Sequence, residues 1–137
     1  MELCEYDLET YIKKRESLIS IKEIKYILNQ LNNILKILIK ENIIHLNLKP
    51  NNILISLSKL DNCTIKLSTY KNMNILMNES IINETLLTIV PEILKEKNIN
   101  IKNDIWSLGI IIYYILNKKY PYNDKNEISL YDDINIF

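Results

Sequence analysis

The chain has 137 residues, of which 47% are hydrophobic and 25% are charged, and these fractions are typical of one globular domain rather than of a disordered segment. Seventeen basic residues balance seventeen acidic ones, so the net charge gives no reason to expect binding to nucleic acid or to an anionic membrane surface. The single glycine, Gly109, excludes from this stretch the glycine-rich loops that hold nucleotide phosphates.

Cysteine and histidine are too few for a metal cluster or a disulfide framework. Cys4 and Cys63 have no C-x-x-C spacing, and there is one histidine. The acidic residues after Met1 are unlike a signal peptide, and the longest nearly apolar stretch, residues 105–116, is roughly half of what spans a bilayer. We therefore expect a cytoplasmic or nuclear protein with reduced thiols, no metal site and no membrane contact.

The first elements along the chain are helices. A helical pattern around Leu8, Tyr11 and Ile12 comes first. An apolar stripe with steps of three and four residues then predicts a helix of about five turns. Its members are Ile21, Ile24, Leu28, Leu31, Leu35 and Leu38. Ser20 and Glu23 form a capping box at its start. The stripe could also belong to a short coiled coil, but isoleucines at positions 27, 34, 37 and 39 widen it, which favours a helix buried in a domain.

The second half of the chain mixes strands, loops and helices. Two apolar pieces, residues 53–55 and 64–67, predict a β-hairpin with Asp61 and Asn62 in its connection. Residues 68–87 have no regular period and predict a long loop of the functional or mobile kind. A short helix is predicted from Pro91, and an apolar helix over residues 104–115, closed by Pro121, is predicted to lie in the middle of the domain.

Several blocks of sequence, in this order and spacing, resemble the larger, helical lobe of eukaryotic Ser/Thr protein kinases. HLNLKPNNIL at residues 45–54 is similar to the catalytic-loop pattern HRDLKPxNIL, and IKLSTYK at residues 65–71 stands where the family has a strand leading into DFG. VPEIL at residues 90–94 resembles the family's APE and the helix after it. DIWSLG at residues 104–109 and YPY at residues 120–122 resemble the central buried helix and its following turn.

The resemblance implies a mainly α (α+β) fold, the large lobe of a protein-kinase-like domain, helical with a small β-hairpin. On this alignment residues 1–137 are a partial protein-kinase-like domain, running from the hinge region through the central buried helix. The small lobe and the last helices of the large lobe would be missing. The family uses ATP and Mg²⁺, and we expect weak or no binding of either, because the adenine slot lies between two lobes.

The resemblance also implies that two catalytic carboxylates are lost. Asn47 stands where the family has the aspartate that accepts the substrate hydroxyl proton, and an amide cannot take that proton. Thr69 stands at the Mg²⁺-binding aspartate of DFG, and Lys71 at its glycine. These replacements predict an inactive, pseudokinase-like domain.

Two phosphate-side positions match the family's pattern. Lys49 would neutralise the transferring phosphoryl group, and Asn52 would be the second metal ligand. Both could instead tie the loop together by hydrogen bonds, and the loss of the aspartates favours that structural role. We therefore expect little nucleotide binding through Lys49, Asn52 and Thr69.

Four further positions match scaffold residues of the family. The resemblance implies that His45 packs in the catalytic loop, that Asp104 accepts backbone amides of that loop, and that Trp106 packs in the core. Glu92 would pair with an arginine in a later helix and could be unpaired here.

Leu46 stands where the family usually has an arginine that contacts a phosphorylated activation loop. Leucine cannot make that contact. Phosphorylation of Ser80, Thr85 or Thr88 would then lack its usual receiver.

Three functions stay open. The first is an inactive kinase-like domain that binds a protein partner, such as an active kinase or a missing small lobe. The second is a divergent or truncated Ser/Thr kinase that transfers the ATP γ-phosphate to protein hydroxyls, which an in-frame small lobe upstream would support. The third, an unrelated helical module pairing through the apolar stripe, is disfavoured by the spacing of the kinase-like blocks. Exposed apolar surface on a lone lobe also predicts self-association.

Overall fold

The computed structural model describes residues 4–57, 63–68, 87–90 and 99–122 of the chain. Their elements, in order, are β1 (Tyr6–Asp7), α1 (Leu8–Lys13), α2 (Ile21–Lys40), a 3-10 turn (Pro50–Asn52), β2 (Ile53–Leu57), β3 (Cys63–Leu67) and α3 (Lys102–Asn117). The loop predicted over residues 68–87 and the helix predicted from Pro91 lie almost entirely outside these ranges.

Helix α2 confirms the prediction of a long helix with one buried face. Ile27, Leu31 and Leu35 are buried in the main core. Ile21, the first member of the predicted stripe, is 73% exposed, so that part of the prediction was wrong. Ile37 and Ile39 are 61% and 47% exposed, so the apolar face is also narrower than the sequence suggested. The buried face packs inside the chain's own core, which agrees with the domain-helix interpretation of the stripe.

The start of α2 contains half of the predicted capping box. The backbone N–H of Glu23 donates to the Ser20 hydroxyl at 3.2 Å. The Glu23 carboxylate does not turn back to Ser20 but accepts from the Tyr11 hydroxyl and, at 2.7 Å, from the Arg15 guanidinium. Burial, together with Glu23, raises the pKa of Tyr11 to about 12, so the phenol stays a neutral donor. This network joins the end of α1 to the start of α2.

The predicted hairpin is confirmed and carries a third strand. β2 pairs antiparallel with β3, with Ile55 opposite Ile65, and β1 pairs with the other edge of β2. β1 was not predicted, because a strand of two residues has no readable alternation. The hairpin connection with Asp61 and Asn62 lies outside the described residues.

One main core lies between the helices and the sheet. The fully buried residues of this core come from the three helices and from β2. They are Leu8, Ile12, Ile27, Ile53, Ile55, Ile111 and Ile115. Burial of each such side chain stabilises the fold by about 1.5–3 kcal/mol, so this core fixes where α3 lies relative to the hairpin and the loop before it.

Helix α3 differs from its prediction at its end and on one side. It ends at Asn117 because Lys118 adopts a left-handed backbone with φ 55°, so Pro121 does not close it. The prediction of burial on all sides was also wrong for the described part of the chain. Ile105 is 50% exposed and Leu116 51% exposed, and Tyr113 is exposed on the same side. None of the helices in the described ranges has the length and apolar character needed to cross a lipid bilayer.

Candidate functional site

The loop at residues 45–52 joins α2 to β2 and is fixed to the first turn of α3 by Asp104. The backbone N–H of His45 donates to Oδ2 of Asp104 at 2.7 Å, and that of Leu46 donates to Oδ1 at 2.9 Å. Asp104 is 0% exposed. Both carboxylate oxygens therefore form short, charge-assisted hydrogen bonds inside the protein. These bonds fix the position of the backbone at the start of the loop.

Leu46 has an unusual backbone in this loop. Its φ is 60°, in the left-handed region, which costs a residue with a Cβ about 1–2 kcal/mol. The hydrogen bond from its N–H to Asp104 offsets this cost. The turn at Leu46 is thus a direct consequence of the Asp104 contact.

The other end of the loop is closed by Asn52. Its side-chain Nδ2 donates to the backbone carbonyl of Asn47 at 2.8 Å, and its Oδ1 accepts a long hydrogen bond of 3.5 Å from the Ser68 hydroxyl. The backbone N–H of Ser68 also donates to the Asn52 carbonyl at 2.9 Å. Asn52 therefore ties the loop to itself and to the end of β3, a structural use of the side chain that the sequence offered as one of two alternatives.

Asn47 and Lys49 lie inside this closed loop. Asn47 is 2% exposed and Lys49 is 9% exposed, and each makes interactions within the protein. A substrate hydroxyl could approach the Asn47 amide only if the loop opened. Of the loop positions that resemble catalytic ones, Asn47 and Lys49 are therefore buried, whereas Asn52 is half-buried.

His45 is buried at the start of the loop. Its Nδ1 accepts from the backbone N–H of Asn47 at 3.3 Å. Burial lowers the pKa of His45, although the carboxylate of Asp104 and the backbone of Ser68 act in the opposite direction. Among the described residues, Nε2 has no hydrogen-bond partner. We conclude that the imidazole is neutral at pH 7 and packs the loop.

The charge of Asp104 is held in the same buried environment. Burial raises the pKa of Asp104, whereas the two backbone amides and His45 lower it. Burial of the Asp104 carboxylate therefore costs desolvation free energy, and its two hydrogen bonds to backbone amides offset that cost.

The residues described at this site do not fit a Mg²⁺ ion. Mg²⁺ prefers carboxylate oxygens, and those of Asp104 are taken by backbone amides. Within residues 4–57, 63–68, 87–90 and 99–122 no three His, Cys, Asp or Glu side chains lie close enough together to hold a metal. Thr69 and Lys71 lie outside the described residues, and Thr69 supplies only a neutral hydroxyl. No catalytic step through Mg²⁺ follows from this arrangement.

Two predicted site residues remain. One lies in a second, smaller apolar cluster, and the other lies outside the described residues. Trp106 packs beside Ile89 and Val90 in that smaller cluster, separate from the main core. Glu92 lies outside the described residues. Sequence reasoning missed Ser107, whose hydroxyl donates to the Thr88 carbonyl at 2.7 Å. Its position three residues after Asp104, on the same helix face, was the available signal.

Comparison with known sequences identifies the family. Residues 1–136 match the sequence model of the protein kinase domain. The chain belongs to the protein kinase domain family.

Curated relatives of this chain carry the names of Ser/Thr kinases. It is 34% identical over 131 residues to serine/threonine-protein kinase ULK3 of Xenopus laevis, covering 93% of the chain and 27% of that protein. It is 35% identical over 128 residues to serine/threonine-protein kinase atg1 of Dictyostelium discoideum, covering 90% of the chain and 19% of that protein. It is 30% identical over 125 residues to serine/threonine-protein kinase dkf-2 of Caenorhabditis briggsae, covering 89% of the chain and 10% of that protein. The chain thus spans about a quarter or less of the length of these relatives.

Proposed function

We propose that this chain is the large-lobe part of a protein kinase domain that acts by binding and does not transfer phosphate. The observation that carries the proposal is the absence of an available carboxylate in the described loop. Asn47 is a neutral amide, and both oxygens of Asp104 accept from the backbone. Phosphoryl transfer depends on positioned charge, so loss of this charge removes several powers of ten in rate.

The large-lobe assignment draws support from the order of the elements. The loop at residues 45–52 precedes a short hairpin, and α3 fixes the loop from a position far along the chain. The protein kinase match over residues 1–136 supports the family on which this assignment rests. We expect ATP and Mg²⁺ to bind weakly or not at all, because both oxygens of the Asp104 carboxylate are bound to backbone amides.

We propose that the chain binds a protein partner, which is either an active kinase or a separate small lobe. We also propose self-association of the purified chain. The support for it is the exposed apolar side of α3, where Ile105, Tyr113 and Leu116 lie. Analytical ultracentrifugation over a hundredfold concentration range tests this, and a monomer at the highest concentration contradicts it.

Thermal-shift titration with ATP, with and without Mg²⁺ or Mn²⁺, tests the loss of nucleotide binding. A ligand at a hundred times its Kd stabilises the folded state by about 2.7 kcal/mol, which is several degrees in Tm. We expect no shift in a chain that melts cooperatively. A metal-dependent shift that disappears in Lys49→Ala would contradict the proposal. Lys102→Ala, at an exposed position of α3, is the matched control for removal of a lysine.

A divergent Ser/Thr kinase is the second candidate. Lys49 and Asn52 are present, and the Oδ1 atom of Asn52 makes only a 3.5 Å contact, which a metal ion could displace. The similarity to relatives named as Ser/Thr kinases also favours it. Transfer of labelled γ-phosphate to a Ser/Thr peptide, lost in Lys49→Ala and retained in Lys102→Ala, would establish this function in place of the first.

A further inference from the structure

The connection between α1 and α2 lies at the surface and begins after a run of basic residues. Lys13, Lys14 and Arg15 are consecutive, and the side chains of Lys13 and Arg15 are 65% and 34% exposed. Ser17 follows Arg15 by two residues and is exposed. Three cations just before an exposed serine hydroxyl form a charge pattern that an enzyme with an acidic substrate groove can recognise.

The backbone around Ser17 belongs to neither helix. The N–H of Arg15 makes the last backbone hydrogen bond of α1, to the carbonyl of Ile12 at 3.4 Å, and the carbonyl of Ser20 accepts the first one of α2, at 2.9 Å. Within the described ranges, residues 16–18 take part in neither set of hydrogen bonds. The segment can therefore enter an active site in extended form without the unfolding of a helix.

The two residues after Ser17 have opposite environments. Ile19 is 5% exposed and belongs to the main core, so it fixes one end of the segment. Leu18 is 69% exposed. Leu18 thus offers an apolar contact to an enzyme on the side of Ser17 opposite to the cations.

The basic side chains have partners that a docked enzyme can replace. Lys13 makes one ion pair at 2.6 Å on the surface, and the Lys14 ammonium lies 4.7 Å from the centroid of the Tyr6 ring. Surface contacts of these kinds contribute about 0–1 kcal/mol each. Carboxylates of an enzyme can therefore bind Lys13 and Lys14 at little cost, while Arg15 keeps its ion pair to Glu23 and adds to the positive potential.

We propose that Ser17 is a phosphorylation site for a separate Ser/Thr kinase that selects basic residues before the serine. In this step Oγ of Ser17 forms a bond to the γ-phosphorus of ATP, the bond from that phosphorus to the oxygen bridging to the β-phosphate breaks, and ADP leaves. The hydroxyl proton passes to a carboxylate of the modifying kinase. The inference does not depend on whether this chain itself transfers phosphate.

Ser20 is a second exposed serine in the same connection and differs from Ser17 in its use. The Ser20 hydroxyl accepts the backbone N–H of Glu23 at 3.2 Å and so caps α2. Modification of Ser20 would disturb this cap. A phosphate on Ser17, with a charge of about −1.5 to −2, would instead stay in water close to the three cations, so the fold does not oppose it.

Incubation of the full chain with labelled ATP and the catalytic subunit of cAMP-dependent protein kinase, which selects basic residues, tests the proposal. Mass spectrometry locates the label, and a reaction without the added kinase corrects for transfer by the chain itself. We expect label on Ser17, at least tenfold less label in Ser17→Ala, and wild-type labelling in Ser20→Ala. An unlabelled wild type, or equal labelling of Ser17→Ala and Ser20→Ala, overturns the proposal.

Two double variants test the part played by the cations. Lys13→Gln together with Lys14→Gln removes two positive charges before Ser17, and we expect labelling to become at least tenfold slower. Lys22→Gln together with Lys25→Gln removes two charges after Ser17, on α2, and should be labelled within twofold of wild type. All four lysines are exposed, and circular dichroism confirms that both variants fold. Equal rates in the two double variants would show that the basic run does not direct the modification, and the proposal would be wrong.

Discussion

Replacement of Asp104 is the most direct test of how the loop at residues 45–52 is held. Asp104→Ala leaves the N–H groups of His45 and Leu46 buried without their acceptors. Each unsatisfied buried group costs about 1–3 kcal/mol. The variant also removes the desolvation cost of the carboxylate, the cost that raises the pKa of Asp104. We therefore place the loss near the middle of the summed range, at about 4 kcal/mol, which is a large part of the stability of a typical domain.

Asp104→Asn keeps one of the two hydrogen bonds and removes the other. The amide oxygen can still accept from one N–H, but its NH₂ group meets the other donor. We expect a loss of about 2 kcal/mol, between wild type and Asp104→Ala. Lys102→Gln, two residues earlier on an exposed position of the same helix, is the control and should stay within about 0.5 kcal/mol of wild type.

Urea unfolding followed by circular dichroism gives the free energy of unfolding of each variant. The amide resonances of His45 and Leu46 report the local effect. Asp104→Ala should also release Leu46 from its left-handed backbone, because nothing else described in the structure binds its N–H. If both Asp104 variants unfold like Lys102→Gln, the carboxylate does not hold the loop and the reasoning is refuted.

Three other predictions concern pH, the sheet edge and a helix end. His45 is the single histidine, and its pKa is lowered from 6.5 by burial, so the unfolded chain binds the extra proton first as the pH falls. The free energy of unfolding should have its full value above pH 6.5 and should decline as the pH drops toward the pKa of His45 in the folded state. His45→Gln should flatten this decline in unfolding curves recorded between pH 7.5 and 5.5. Gln30→Leu removes the hydrogen bonds to the carbonyl of Cys63 (2.8 Å) and from the N–H of Ile65 (3.0 Å), which should cost about 1–3 kcal/mol and speed exchange of the Ile65 amide. Glu41→Gln, on an exposed position, is its control, and no change at Ile65 would contradict the assignment. Asn42 has φ 54°, so Asn42→Ala should lose about 1 kcal/mol in thermal unfolding whereas Asn42→Gly should not, and equal losses would show that backbone strain is not the cause.

The sequence predicted the elements whose side chains repeat with a clear period. The stripe of α2 and the apolar pieces in β2 and β3 are local signals of burial, and the helix and both strands lie where they were expected. β1 was missed because two residues carry no period, and the end of α3 was misplaced because no residue type marks the left-handed backbone of Lys118.

The candidate site was less readable from local patterns. The residues of the loop were identified only through the resemblance to protein kinases, since their partners are remote in sequence. Asp104 lies 59 residues from His45, and Gln30 lies 33 residues from Cys63. The cluster around Ile89 and Val90 likewise joins three distant segments. Such contacts depend on how the chain folds back on itself, which periodicity does not encode.

The bond between Asp104 and the loop also sets an order of events in folding. The backbone hydrogen bonds of α2 and of the hairpin join residues that are close in sequence, so we expect these elements to form early. The turn at Leu46 depends on a carboxylate 58 residues further along the chain. A ribosome adding about 5–20 residues per second would therefore expose the loop for some seconds before its anchor is made. We therefore expect the segment that resembles a catalytic centre to be among the last of the described parts to acquire its shape.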